Sequence, residues 1–296
     1  MTYSIVARDS ATGELGVAVQ SHWFSVGPIV PWARPGVGAV ATQANAEVAY
    51  GPRLLDLLER GMSAGGALKR LLAEDPLAAS RQVAVVDARG EAAAHTGEAC
   101  MAFAGDVQGA GVSCQANIMA AAEVWPAMLA AYEAGQGTLV TRLLTALNVA
   151  ESAGGDLRGR QSAAILVVPA SGDPWATVTS LRVEDHPDPL VELGRLARLD
   201  EAYRIAGEGD EQLAAGRHDE ASALFRQACE LAPESDELRF WAGLGAAQVG
   251  DMDTALADVR AAIEAHAGWL ELLRRLTPEV APSAPAVLAQ LDGHVS

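Results

Sequence analysis

Two short apolar runs at the start of the chain constrain its fold most. Tyr3, Ile5 and Ala7 alternate with Ser4 and Val6 within Met1–Asp9, and Leu15, Val17 and Val19 alternate with small or polar residues as far as Ser21. Each run therefore has the period of two that marks a β-strand. Ser10-Ala11-Thr12-Gly13-Glu14 between them is a turn-forming connector. The pair predicts a hairpin that opens at the first residue. Chain ends fray unless something holds them, so this strand is either tied into a sheet or kept there for chemistry. If Met1 is removed, Thr2 carries a hydroxyl and a free α-amine on one residue. An α-amine with an ordinary pKa of about 7.7–8.0 can take the hydroxyl proton near neutrality.

After the hairpin, residues 22–35 read as a loop punctuated by Pro28, Pro31 and Pro35, and Gly36–Thr42 reads as a third strand. Leucines at helical spacing predict helices over Tyr50–Arg60 and Ser63–Glu74. Strands follow at Gln82–Asp87, Glu91–Thr96 and Gly111–Ala116, then helices at Ala120–Glu133 and Thr138–Ser152, then strands at Gln161–Val168 and Thr177–Val183. Strands in antiparallel groups with helices in pairs disfavour an alternating βαβ plan. Two sheets packed face to face with helix pairs outside fit the order better.

Pro187-Asp188-Pro189 marks a predicted boundary, which divides the chain into residues 1–187 and 188–296. Beyond it Gly209, Gly216, Ala221, Phe225, Ala228 and Pro233 are echoed thirty-four residues later by Gly243, Gly250, Ala255, Val259, Ala262 and Ala267. That period and its small residues resemble tetratricopeptide repeats. Flanking helices at Leu190–Arg204 and Trp269–Leu276 complete a small all-α domain with a possible protein partner.

Composition narrows the function classes. Against 38 Asp and Glu stand 21 Lys and Arg, a net charge of −17, which opposes binding to nucleic acid or to anionic membranes. No run reaches eighteen apolar residues and no basic-then-apolar leader precedes the first strand, so the expectation is a cytoplasmic protein. Cys100, Cys114 and Cys229 lack CxxC spacing and the six histidines form no HExxH pattern, so no metal or other cofactor is expected.

Thr2–Ala7 with Leu15–Val19, Gly36–Gln43, Ala94-His95-Thr96-Gly97 and Gly154–Ala164 resemble a bacterial family of unassigned function in the N-terminal-nucleophile hydrolase superfamily. The resemblance implies a four-layer αββα sandwich, an α+β fold, in which an N-terminal Thr, Ser or Cys attacks an amide carbonyl. It also implies a basic side chain beside the nucleophile near the third strand. Arg34 is similar in position but differs in type from the lysine of proteasome-like members, and as a permanent cation it could tune electrostatics without shuttling a proton.

The site reading follows from Thr2 as nucleophile. Ser4 and Ser21 fall on its face of neighbouring strands, as proton relays or as hydroxyls satisfied by backbone. Gln43 and Asn117 end strands with amide donors, suited to an oxyanion or to capping loops. Asp156, Arg158 and Arg160 in the glycine-rich turn can fork a substrate carboxylate or form a structural ion-pair cluster. His95 reads as a strand histidine satisfied locally, and Cys114 has no paired histidine. The expected function is hydrolysis of a small amide or peptide-like substrate, by a homo-oligomer. The alternative is a non-enzymatic binding or scaffold protein that acts through its helical repeats, and processing of the terminus separates the two.

Overall fold

The computed structural model describes residues 2–293, and Met1 of the expected first strand lies outside them. The chain divides between Ala197 and Arg198 into two compact units. The first contains β1 (Thr2–Arg8), β2 (Leu15–Ser21), β3 (Pro31–Arg34), β4 (Gly38–Ala44), α1 (Tyr50–Glu59) and α2 (Ala64–Glu74). It continues with β5 (Arg81–Asp87), β6 (Ala92–Thr96), β7 (Gly105–Gly109), β8 (Val112–Asn117), α3 (Val124–Ala134), α4 (Leu139–Ser152), β9 (Ser162–Val168) and β10 (Thr179–Val183). The 26-residue α5 (Pro189–Ala214) starts here and runs into the second unit.

All strand pairings are antiparallel, in two sheets ordered β10-β9-β2-β1-β8-β7 and β3-β4-β5-β6. Strand alternation then builds three apolar interfaces. Tyr3, Ile5 and Ala7 pack with Met128 and Leu143 of α3 and α4. Val6, Val17 and Val19 pack across the gap against Ala39, Ala41, Ala84 and Val86 of the other sheet. Val40, Val83 and Val85 on its outer face meet Leu54, Leu68 and Leu71 of α1 and α2. The layers run helix, sheet, sheet, helix, a mixed α+β plan.

The β1–β2 hairpin closes where the Asp9 carboxylate accepts from Ala11 N at 2.7 Å and Thr12 N at 3.1 Å, the local bonding that makes aspartate a turn former. Two strands were missed in the sequence. β3 lies in the stretch that reads as loop because it begins at Pro31, but it is an edge strand, where a missing N–H is tolerated. β7 is also an edge strand, and its Gly105, Asp106 and Gly109 have little strand propensity.

The second unit holds the rest of α5 and α6 (His218–Leu231), α7 (Asp236–Gln248), α8 (Met252–Ala265), α9 (Gly268–Arg275) and α10 (Ala284–Gly293). The thirty-four-residue period has a physical counterpart. A Cβ added at Gly209 would lie 2.8 Å from the Phe225 ring, and one added at Gly243 would lie 2.9 Å from Val259 Cγ2. Two alanine pairs of the period, Ala221 with Ala255 and Ala228 with Ala262, are buried, while Ala267, opposite Pro233 in the period, is exposed. No helix among the described residues is long and apolar enough to cross a membrane.

Candidate active site at the N-terminal strand

β1 lies between β2 and β8, so the register sets what surrounds Thr2. Thr2 is opposite Asn117 and Ser4 opposite Gln115, while Tyr3 is opposite Gln20 on the other side. Paired residues share a face, which brings Thr2, Ser4, Ser21, Gln115 and Asn117 into the space between the sheets. Gln43 of β4 and Gln82 of β5 enter that space from the other sheet. All seven are buried.

Their polar groups form one network. Thr2 Oγ1 lies 3.1 Å from Ser21 Oγ. Gln43 Nε2 and Asn117 Nδ2 each donate to Gln82 Oε1 at 2.8 Å, and each also lies 3.4 Å from the Thr2 carbonyl oxygen. Gln82 Nε2 in turn donates to Ala116 O at 2.8 Å and Thr96 Oγ1 at 3.0 Å. Ser4 Oγ donates to Gln43 Oε1 at 2.7 Å and accepts from Gln115 Nε2 at 2.6 Å. Buried amides demand such partners. Within this network Asn117 Oδ1 departs from that rule: it is buried and accepts no hydrogen bond. On the far face of β2, neither amide atom of the buried Gln20 finds a partner either.

Thr2 opens onto a cavity of about 460 Å³, lined otherwise by apolar groups such as Trp23, Val30, Val48 and Met101 and by Gln43, Asn45 and Arg158. Backbone strain gathers around it. Among the described residues, the non-glycine residues with positive φ are Ser25 at 55°, Ala44 at 66° and Ile118 at 55°. Ala44 and Ile118 line the cavity directly after Gln43 and Asn117, and Ser25 lies between its lining residues Trp23 and Val26. A left-handed conformation costs an L-residue roughly 1–2 kcal/mol, and a β-branched isoleucine is a particular outlier there. Such strain is concentrated at functional sites.

Arg158 reaches the cavity under the control of Asp156, whose side chain is fully buried. Asp156 Oδ1 accepts from the Arg158 amide at 2.9 Å, and Oδ2 accepts from its guanidinium at 3.1 Å and from His22 N at 3.0 Å. Arg160 does not join Arg158 at the cavity. It pairs with Glu151 at 3.4 Å and Asp188 at 2.6 Å, and Glu151 also takes the Tyr3 hydroxyl on the helix side of the sheet. The two guanidiniums are thus split between a cavity wall and a structural ion pair.

Arg34 is not brought to Thr2. Its guanidinium binds Asp56 at 2.9 Å and Glu59 at 2.8 Å on α1, because Trp32 and Arg34 share the helix-facing side of β3. Arg34 is opposite Gly38, five residues from Gln43 and so roughly 16 Å along the strand at ~3.3 Å per residue. His95 also faces outward, with Nε2 at 2.8 Å from Ala78 O. Cys114 faces the helices, and burial pushes its thiol well above its ordinary range. Among the described residues no group of three or more His, Cys, Asp or Glu could hold a metal ion.

Fold and site together define an α+β protein of two stacked antiparallel sheets with a buried threonine at the floor of a strained cavity. The chain belongs to the family described as "Family of unknown function (DUF1028)", whose model matches residues 2–193. It is similar to the crystal structure of protein SPO2555 from Silicibacter pomeroyi, of the same family, at 33% identity and a TM-score of 0.62 over 67% of this chain and 84% of that one. No curated protein matches the chain.

Proposed function

We propose that the protein hydrolyses amide bonds with Thr2 as an N-terminal nucleophile once Met1 has been removed. The observation that carries the reading is the Thr2 hydroxyl, 3.1 Å from Ser21 Oγ on a central strand, at the floor of the strained cavity. The helix–sheet–sheet–helix layering supports it, as the layering of the N-terminal-nucleophile superfamily. In this reading Thr2 Oγ1 attacks the amide carbonyl while the Thr2 α-amine takes its proton, directly or through Ser21. The amine returns that proton to the departing nitrogen, which leaves an ester on Thr2. Water, deprotonated by the same amine, then cleaves the ester and restores the hydroxyl.

Gln43 and Asn117 act here as positioning residues. Both bond to Gln82 and face the Thr2 carbonyl, which fixes the strand end, and Asn117 Oδ1 is left as an acceptor for an N–H of the freed amine. Arg158, oriented by Asp156, is the cation available to a substrate carboxylate, and the apolar lining suits a non-polar acyl group. Turnover of a panel of N-acyl amino acids and peptide anilides tests the reading. Thr2→Ser retains activity and Thr2→Ala abolishes it; an active Thr2→Ala protein would exclude the mechanism.

A further inference from the structure

The second unit has a cavity that the Thr2 chemistry does not use and that lies beyond residue 193, where the family match ends. α5, α6, α7 and residues 280–283 enclose about 440 Å³, within the usual size of a pocket that buries a small ligand. Phe225 and Trp241 contribute aromatic surface and Leu213 and Leu244 aliphatic surface. The charged residues of the wall are Asp210 and Glu237, and none of the described lining residues is basic. Glu237 is held in place by the Tyr203 hydroxyl, which donates to Oε2 at 2.6 Å. Burial holds the Asp210 carboxyl above its ordinary range, and no neighbouring cation offsets the rise.

We propose that this cavity binds an organic monocation on an apolar body. Its ammonium or guanidinium group is drawn by Asp210, Glu237 and the Trp241 ring, and its hydrocarbon lies against Phe225 and Leu213. Charge complementarity selects the ligand. Two carboxylates on an apolar wall without a countercharge favour a cation, and aromatic faces add attraction for it. Gly207 is an exposed lining residue, and a Cβ added there meets nothing within 4 Å.

Isothermal titration of the full chain with 4-phenylbutylamine, 4-phenylbutanol and 4-phenylbutyrate tests the proposal, because the three differ in charge and little in shape. The amine should bind at least ~10-fold tighter than the alcohol and the carboxylate more weakly than either, with the amine's advantage shrinking as salt rises. Gly207→Leu narrows the cavity and should weaken amine binding at least ~10-fold without lowering the melting temperature, because a Cβ there meets nothing within 4 Å. Asp210→Asn combined with Glu237→Gln should bring the amine level with the alcohol. The capped peptide acetyl-Leu-Lys-Phe-amide separates the sources: tighter binding than the amine assigns the cation to a peptide side chain, and weaker binding assigns it to a free amine. Equal binding of the three phenylbutyl probes, no amine binding at millimolar concentration, or amine binding undiminished by Gly207→Leu would overturn the proposal.

Discussion

Gln82 joins the two sheets beneath Thr2, and its replacement by methionine measures how much that junction contributes. Methionine keeps the length and removes both polar groups. Gln43 Nε2 and Asn117 Nδ2 each lose a 2.8 Å acceptor and retain only 3.4 Å contacts, while Ala116 O and Thr96 Oγ1 lose a donor. A buried group left unpaired costs roughly 1–3 kcal/mol, so the two stranded donors alone predict a loss of about 2–6 kcal/mol. For a unit of this size, ~2–4 °C per kcal/mol makes a drop of about 10 °C in melting temperature a central expectation. Urea unfolding followed by tryptophan fluorescence should show a lower midpoint at unchanged slope. Adding Asn117→Leu should cost less than the two single changes summed, because it removes one of the stranded donors. A loss below about 1 kcal/mol for Gln82→Met would refute the pairing described for the network.

Three further predictions address the frame around the site. Arg81 donates to the Asp75 carboxylate at 2.8 Å and, against partial burial and with help from Leu77 N and the Tyr50 hydroxyl, holds it below its ordinary value. A depressed folded pKa contributes stability above the unfolded value of about 3.9 that is lost as pH falls through the folded one. Asp75→Asn should therefore destabilise at pH 7, and thermal melts should show the difference from wild type shrinking below pH ~4. Gly209→Ala and Gly243→Ala should each cost about 1–3 kcal/mol by crowding Phe225 and Val259, and chemical denaturation should find similar values if the two glycine contacts are equivalent. A fragment ending at Asp188 lacks Leu190 and Leu193, which are 5% and 0% exposed in the first core. It should be less stable in calorimetry than one ending at Ala197, by about 3–6 kcal/mol at 1.5–3 kcal/mol per buried leucine.

The layers of the first unit were legible because its strands alternate strictly and its helices carry leucines at 3.6-residue spacing. Tyr3 and Ile5 against Ser4 already announce two different faces. The edge strands β3 and β7 were hidden because proline and glycine mark breaks in sequence and are tolerated at an edge in space. Thr2, Ser21, Gln43 and Asn117 were legible from strand parity and position at strand ends. Gln82 and Gln115 carry the same signal less plainly: Gln82 is the lone amide at an inward position of a strand otherwise rich in Val and Ala, and Gln115 lies two residues from Asn117 on the same face of β8, so parity alone points to both. Arg34 lies away from Thr2, and Arg160 takes the structural ion pair rather than the substrate fork, for a different reason. Sequence proximity to a strand end does not say which face a long side chain takes, and acidic partners on α1 and α4 decide it. The strained backbone at Ala44 and Ile118 has no sequence signature, since neither residue type favours positive φ.

The central claim is that Thr2 is the nucleophile, and covalent capture tests it most directly. Protein made in cells and treated with a β-lactone acylating probe can be read by intact mass and then by mapping of the N-terminal peptide. The account predicts a chain that lacks Met1, one probe bound as an ester to Thr2 Oγ1, and no adduct in Thr2→Ala. Amide hydrolysis by a chain that keeps Met1, or a probe carried on another residue with undiminished stoichiometry in Thr2→Ala, would contradict it.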